Sequence, residues 1–469
     1  MSSSAQGLHS NIAQKHKLLR SVSLPAALAI NLGAIIGAGI FVIIGLAAYA
    51  AGPAVIISIV LAAAVALFTG LSFSEIARHT AKEGGVYEYA KETLSPFAGF
   101  LGGWLWTFGN IIAIAAVSLS LGSYIDVLFH LHIGNIYFAI SAILVLMVIN
   151  ILGIKNSAKT LMAFVSVNVI VLVLFVLFGM LSFHAANFSG FFQKGASGLI
   201  EGAALIFFAF TGFSRVTTIS EEVKDPERTI PKAIILSIAI STLLYIFVAA
   251  SAIGLMPFSK LGSSSSPLSF AISVLHNPAL DIAIALGGIT ATAGVVLTGI
   301  LGTSRVFFAM GRDKELPKKL SYIDKFSTPI YAILVSSFLG ILFLIFVSFS
   351  TIVETANAAI LVSYLIVNVS AFNLHLKLRK NKRKKYIGEK RYFFAIPILG
   401  IATIVLVTAY IAGDSLLLAF AIGLAGVAYY SYKRLKIALK IEKLIRREIP
   451  PISAVREFGR SRSSRRVAL

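Results

Sequence analysis

Long apolar runs alternate with short polar or basic stretches along this chain, and most runs reach the twenty or so residues needed to cross a bilayer core about 30 Å thick. The pattern predicts twelve membrane-spanning helices, near residues 24–49, 53–74, 96–123, 134–152, 161–183, 198–220, 232–256, 281–311, 329–349, 352–375, 392–411 and 414–432. The first run, Leu24 to Ala50, follows Lys15, Lys17 and Arg20 and ends in Ala48-Tyr49-Ala50, which superficially resembles a signal-peptide cleavage site. A signal core is only about 7 to 15 residues long, and a second run begins just after Gly52-Pro53. The first run is therefore expected to stay as a helix.

Composition agrees. The chain is 57% hydrophobic and 13% charged, against about 45–50% and about 25% in soluble domains. That excludes a soluble enzyme, a disordered chain and a disulfide scaffold. The absence of cysteine also removes thiolate metal sites and cysteine nucleophiles. A net charge of +21 would suggest nucleic acid in a soluble protein, but the placement of the 41 Lys and Arg residues explains it differently. Apart from Lys194 and Lys260 in other loops, and Arg215 and Arg305 within spans, they occupy the N-terminal tail, the loops after even-numbered spans and the C-terminal tail. Basic loops are retained in the cytoplasm, so both termini are expected inside, with a lipid bilayer and no nucleic acid as partner.

The expected organisation is a cytoplasmic tail (1–23), a ten-helix core (24–375), a basic cytoplasmic loop (376–391), helices eleven and twelve (392–432) and a basic cytoplasmic tail (433–469). In that last tail Leu435, Ile437, Leu439, Ile441, Leu444 and Ile445 alternate with Lys436, Lys440, Lys443, Arg446 and Arg447. Two readings stay open, an amphipathic helix on the anionic inner leaflet and a solvated tail.

Two spans are interrupted. Span one carries Gly33-Ala34-Ile35-Ile36-Gly37-Ala38-Gly39-Ile40-Phe41, and glycine weakens a helix and exposes its backbone. Taken alone, Gly33 and Gly37 also fit a helix-packing face. Span six carries Phe207-Phe208-Ala209-Phe210-Thr211-Gly212-Phe213-Ser214-Arg215, and a charge at that depth marks a pathway or cavity unless it snorkels to the inner surface. The two interruptions occupy the first helix of two successive five-span groups, the placement that points to the binding site of an inverted-repeat transporter. Freed N–H groups of Gly37, Ala38 and Gly39 would receive a carboxylate, while unpaired carbonyls would accept from an ammonium.

At these residues the chain resembles the amino acid–polyamine–organocation permeases, closest to their cationic-amino-acid-transporter-like branch. Further matching motifs are Glu83-Gly84-Gly85-Val86-Tyr87, Glu221-Glu222-Val223-Lys224-Asp225-Pro226, and Ser304-Arg305-Val306 leading to Arg312-Asp313 and Leu316-Pro317. The resemblance implies an all-α membrane protein with a five-plus-five inverted-repeat, LeuT-like core, discontinuous helices 1 and 6, two extra helices, and amino acid transport by alternating access. It puts the carboxylate site on the backbone of Gly37, Ala38 and Gly39, and the ammonium site on the carbonyls of Ile35, Phe208, Ala209 and Thr211. Phe208 falls where the family has an aromatic outer gate, and Trp106 and Asn110 where span three faces the substrate side chain. The resemblance also implies the cytoplasmic membrane.

One departure bears on coupling. Where proton-coupled relatives carry a lysine on span five, this chain has Asn168, which cannot titrate. No carboxylate, histidine or lysine sits at the middle of a span, and Arg215 keeps its charge, so it supplies a fixed charge without carrying protons. Two coupling schemes remain. One is exchange or facilitated transport, with Arg215 or Asn168 as a fixed partner for the broken backbone. The other is Na+ coupling through neutral oxygens near Gly33 and on Thr290, Thr292 or Thr298. H+ remains a candidate only by another route, and no other cofactor is expected.

A pocket without a buried acid offers nothing to offset a second positive charge. Neutral L-amino acids are therefore the expected substrates, with cationic amino acids or polyamines as the alternative, since aromatic faces and neutral oxygens also bind cations. An intramembrane enzyme would need a converging nucleophile, base or metal cluster, yet His79, His130, His132, His184, His276 and His375 lie in loops or near span ends. A channel would show a charged ring or a continuous polar stripe. A sensor that binds an amino acid without moving it differs from a transporter only in flux. The exact substrate and oligomeric state are not legible here.

Overall fold

The computed structural model describes residues 18–37, 39–129, 134–264, 266–346, 349–380 and 392–448, and these are helical almost throughout. In order the helices are α1 (Leu24–Ile35), α2 (Ile44–Ala51), α3 (Val55–Ala77), α4 (Val86–Thr93), α5 (Pro96–Phe129), α6 (Asn135–Ile151), α7 (Ile154–Leu181) and α8 (Gly195–Phe210). They continue with α9 (Pro226–Leu255), α10 (Phe258–Leu261), α11 (Pro267–Ile272), α12 (Pro278–Arg312), α13 (Ile330–Phe346), α14 (Phe349–Lys380), α15 (Tyr392–Thr408) and α16 (Gly413–Glu448). No strand forms among the described residues, only an isolated parallel bridge between Val22 and Val223.

By length and composition, eight helical stretches among the described residues can cross a membrane; the first, Leu24–Ala77, runs through α1, α2 and α3. Three shorter apolar helices, Asn135–Ile151, Ile330–Ile345 and Phe394–Thr408, accompany them. Within Leu24–Ala77 the chain bends at Gly52-Pro53, where Gly52 adopts φ 66°, open to glycine and followed by a residue that cannot continue the hydrogen-bond ladder.

Two compact units result, residues 1–423 and 424–469. At the centre of the first, α5 packs along α12 and α14, while α3 packs against α8 and α9. Glycines make these approaches close: a Cβ on Gly109 would stand 2.9 Å from Ile360 on α14. Outward-facing Leu, Ile, Val and Phe side chains stay exposed on α6, α7, α9 and α13, as expected of lipid-facing surfaces. The last helix, α16, runs past the apolar span to Glu448. Its Leu, Lys, Ile, Ala, Glu and Arg residues include good helix formers that carry the helix past the apolar run. Residues 1–17 and 449–469 and most of the basic loop, 381–391, lie outside the described residues.

Candidate substrate site

The first interruption begins where α1 ends. Ile36 leaves the helix with ψ 82°, and a π-helical segment, Gly39–Ile43, precedes α2. Ala38, expected in the carboxylate site, lies outside the described residues. The second interruption follows α8, where the helix tightens at Thr211 into a 3-10 stretch, Thr211–Glu222, itself kinked at Ile219. 3-10 stretches of that length are uncommon and often mark a hinge or strain.

The two interruptions touch. A Cβ on Gly39 would lie 2.1 Å from the Cβ and 2.4 Å from the Cα of Ala209. A Cβ on Gly212 would lie 2.4 Å from the carbonyl carbon of Ala34. Only glycine permits such backbone approach. Gly37 faces the other way, against Ala291 and Val295 of α12.

Side chains from distant helices satisfy several backbone groups that the breaks release. The Tyr245 hydroxyl of α9 donates to the Ile35 carbonyl at 2.6 Å, and Tyr124 of α5 donates to the Phe41 carbonyl at 2.6 Å. The Tyr364 hydroxyl of α14 donates to the Thr211 carbonyl. The Thr211 hydroxyl donates to the Phe208 carbonyl at 2.8 Å. From α1, Asn31 Oδ1 accepts the Val216 N–H at 3.0 Å, tying the two broken helices together. Three of the four carbonyls expected to meet an ammonium, those of Ile35, Phe208 and Thr211, thus already accept a side-chain hydroxyl, and the Phe208 carbonyl also accepts the Thr211 backbone N–H, which occupies both of its lone pairs. Phe208 and Ala209 are buried at the same break, and Thr211 is half-buried.

Trp106 and Asn110, both buried on α5, meet Arg215 of the 3-10 stretch. The guanidinium lies 5.0 Å from the Trp106 ring centre, and its Nη2 donates to Asn110 Oδ1 at 2.7 Å. Trp106 Nε1 approaches Ser214 Oγ at 3.4 Å, and Ser214 Oγ shares a 2.7 Å bond with the Tyr364 hydroxyl. Trp106 and Asn110 therefore pack against the 3-10 stretch and not lipid, and Arg215 turns inward without snorkelling.

Asn168 lies elsewhere. It is buried on α7, its Oδ1 accepts from the Thr290 hydroxyl of α12 at 2.6 Å, and its Nδ2 has no hydrogen-bond partner. Of the two residues named as fixed partners for the broken backbone, Asn168 thus joins α7 to α12 while Arg215 serves the α5 side. The Gly33 carbonyl faces Gly294 of α12. The Thr292 and Thr298 hydroxyls donate to carbonyls one turn back on α12, leaving oxygen lone pairs as the acceptors they offer. No group of three or more His, Cys, Asp or Glu side chains suited to a metal occurs among the described residues.

The remaining sequence motifs converge at the other end of the 3-10 stretch. Arg305 Nε pairs with Glu222 Oε1 at 2.9 Å, and both side chains are fully buried. Arg312 pairs with Glu221 at 2.7 Å, and Glu221 also accepts the Glu83 backbone N–H at 3.1 Å. Gly84 and Gly85 adopt φ 118° and 48°, and a Cβ on Gly85 would reach within 2.8 Å of Thr217 Oγ1. The Glu83 carboxyl is buried with neither oxygen hydrogen-bonded. Burial, reinforced by Glu222 and Glu221, holds it well above the usual carboxylate range against the pull of Arg305 and Arg312. Beside it Asp313 accepts from Tyr87 at 2.7 Å and pairs with Lys91. Burial alone would raise the Asp313 carboxyl, but these donors hold it below its ordinary value.

Asn31, Tyr124, Tyr245 and Tyr364 were not among the residues expected at the site. The available signal was a polar atom within an apolar run, which must find a partner inside the protein.

An apolar helical chain whose two broken helices abut around buried polar groups is a multi-pass membrane protein. The chain belongs to the amino acid permease family, which matches residues 26–427. It is 31% identical over 423 residues to an uncharacterised transporter of Mycobacterium tuberculosis, covering 89% of this chain and 92% of that protein. It is 29% identical over 439 residues to the methylthioribose transporter of Bacillus subtilis, covering 90% and 92%. With the branched-chain amino acid permease of Bacillus subtilis it shares 31% identity over 368 residues, covering 74% and 79%. These proteins are transporters, not enzymes.

Proposed function

We propose that this chain moves L-amino acids across the cytoplasmic membrane by alternating access, as an exchanger or ion-coupled symporter. The observation that carries this reading is the contact between the two interruptions, Gly39 against Ala209 and Gly212 against Ala34. Half-helix ends meeting at one place offer N–H groups to a carboxylate and carbonyls to an ammonium with no charged side chain. Counting α1–α2 and α3 as separate spans and including the three shorter helices, the apolar segments amount to twelve, in keeping with a five-plus-five repeat and two further helices. Both termini are then cytoplasmic, and the Glu222–Arg305 network closes the inner end.

A buried guanidinium beside Trp106 and Asn110 repels a cationic side chain, which disfavours cationic amino acids and polyamines and leaves neutral and acidic amino acids as substrates. Uptake of a labelled neutral amino acid into proteoliposomes, with and without a Na+ gradient at two pH values, tests the reading. Entry establishes transport, and its response to Na+ or pH identifies the coupling. Ligand-induced thermal stabilisation with no entry under any condition would overturn it in favour of a sensor.

A further inference from the structure

Arg215 is 3% exposed and engages in no salt bridge among the described residues. Asn110 takes one proton of Nη2, while Nε and Nη1 have no hydrogen-bond partner. A guanidinium offers five N–H donors, so at least three are unmet in a buried place, where an unpaired ion is costly. The group is nonetheless held in position. Trp106 covers it, and Asn110 is itself fixed by donating to the Trp106 carbonyl at 2.7 Å. Gly302 of α12 leaves the room: a Cβ there would stand 2.7 Å from Arg215 Cδ and 2.8 Å from Nη1. A 3-10 rise of about 2.0 Å per residue puts the Arg215 backbone about 8 Å from Thr211 at the break. The side chain reaches Asn110, at the side-chain end of the proposed site.

We infer that Arg215 is a specificity-determining residue whose unmet donors receive the side-chain carboxylate of an acidic amino acid. This deepens the proposed function and rests on it: the breaks hold the substrate's ammonium and α-carboxylate, and Arg215 holds its second carboxylate. The planar fork suits this role, because carboxylates take guanidinium donors in charge-assisted, often paired, hydrogen bonds. Binding then neutralises a charge that pairs with no carboxylate among the described residues. A neutral amide of the same shape offers these donors only its single oxygen, its NH2 being a donor itself, and does not cancel the charge.

The test compares acid with isosteric amide in purified wild-type protein in proteoliposomes. Counterflow is measured with internal glutamate or glutamine, and with aspartate or asparagine, with leucine as reference. The expected result is exchange at least tenfold faster with one of the acids than with its amide. Arg215→Gln lowers that ratio at least tenfold. Asn110→Asp also lowers it, by placing a resident carboxylate on the guanidinium. Neutral exchange with no acid exchange in the wild type would overturn this inference and leave the transporter reading standing. An acid-to-amide ratio unchanged in both variants would overturn it too. Absence of exchange with every amino acid would overturn the transporter reading itself.

Discussion

Replacing Arg305 with methionine separates the structural consequences of the buried ion pair from those of general packing. Arg305 and Glu222 are both fully buried and meet at 2.9 Å, joining α12 to the end of the 3-10 stretch. Methionine keeps much of the apolar stem but leaves the Glu222 carboxylate without its cation, beside the unpartnered Glu83 carboxyl. Removing one partner of a buried pair costs about 3–5 kcal/mol. An arrangement that lets water reach Glu222 escapes that cost, so the equilibrium moves towards an open inner end by roughly 100- to 4,000-fold at 1.4 kcal/mol per decade. The chain contains no cysteine, so Ser220→Cys introduces a single thiol at a position that is fully buried here. Its rate of modification by an impermeant maleimide from the cytoplasmic side reports the open fraction. Arg305→Met should raise that rate by two orders of magnitude or more, and Glu222→Leu added to it should recover much of the loss, since both charges are then gone. Labelling within twofold of the parent, together with an unchanged melting temperature, would refute the reasoning.

Three further outcomes are expected. Gly39→Ala forces a Cβ to 2.1 Å from Ala209, and overpacking of this kind costs about 1–3 kcal/mol; exchange should fall at least tenfold in protein that still elutes as a single species, and undiminished exchange would count against the contact. Asn168→Lys puts a titratable group between α7 and α12 and should give transport a pH dependence, whereas a flat profile in that variant would show that this position cannot couple protons. Glu83 has a raised pKa in the closed arrangement, so closure is favoured at acid pH and weakens as pH rises from the ordinary carboxylate range through the raised value. Cytoplasmic labelling at Ser220→Cys should rise across that interval and become pH-independent in Glu83→Gln; identical profiles would exclude the carboxyl as the cause.

Hydropathy made the spans legible because a bilayer demands long apolar helices, and glycine clusters made both interruptions legible because glycine frees the backbone. Arg215 was equally visible as a charge at depth. What each interruption leans on was not visible. Ile35 meets Tyr245, Thr211 meets Tyr364 and Val216 meets Asn31, across 150 to 210 residues of sequence, and a tyrosine in an apolar run carries no mark of the carbonyl it will reach. Motifs at residues 83–87, 221–226 and 304–313 stood out individually. Their meeting in neighbouring ion pairs followed only from the packing of α4, the 3-10 stretch and α12. The apolar signal ends before α16 does, so its continuation to Glu448 was legible only as one of two readings of the basic tail.

The most direct test of the account is counterflow by the purified wild-type protein: vesicles preloaded with unlabelled neutral amino acid, diluted into trace labelled leucine, with sugar-loaded vesicles as control. The account predicts transient accumulation of label above equilibrium only where an internal amino acid is present. Equal entry into amino-acid-loaded, sugar-loaded and protein-free vesicles, with leucine still stabilising the protein against heat, would contradict it.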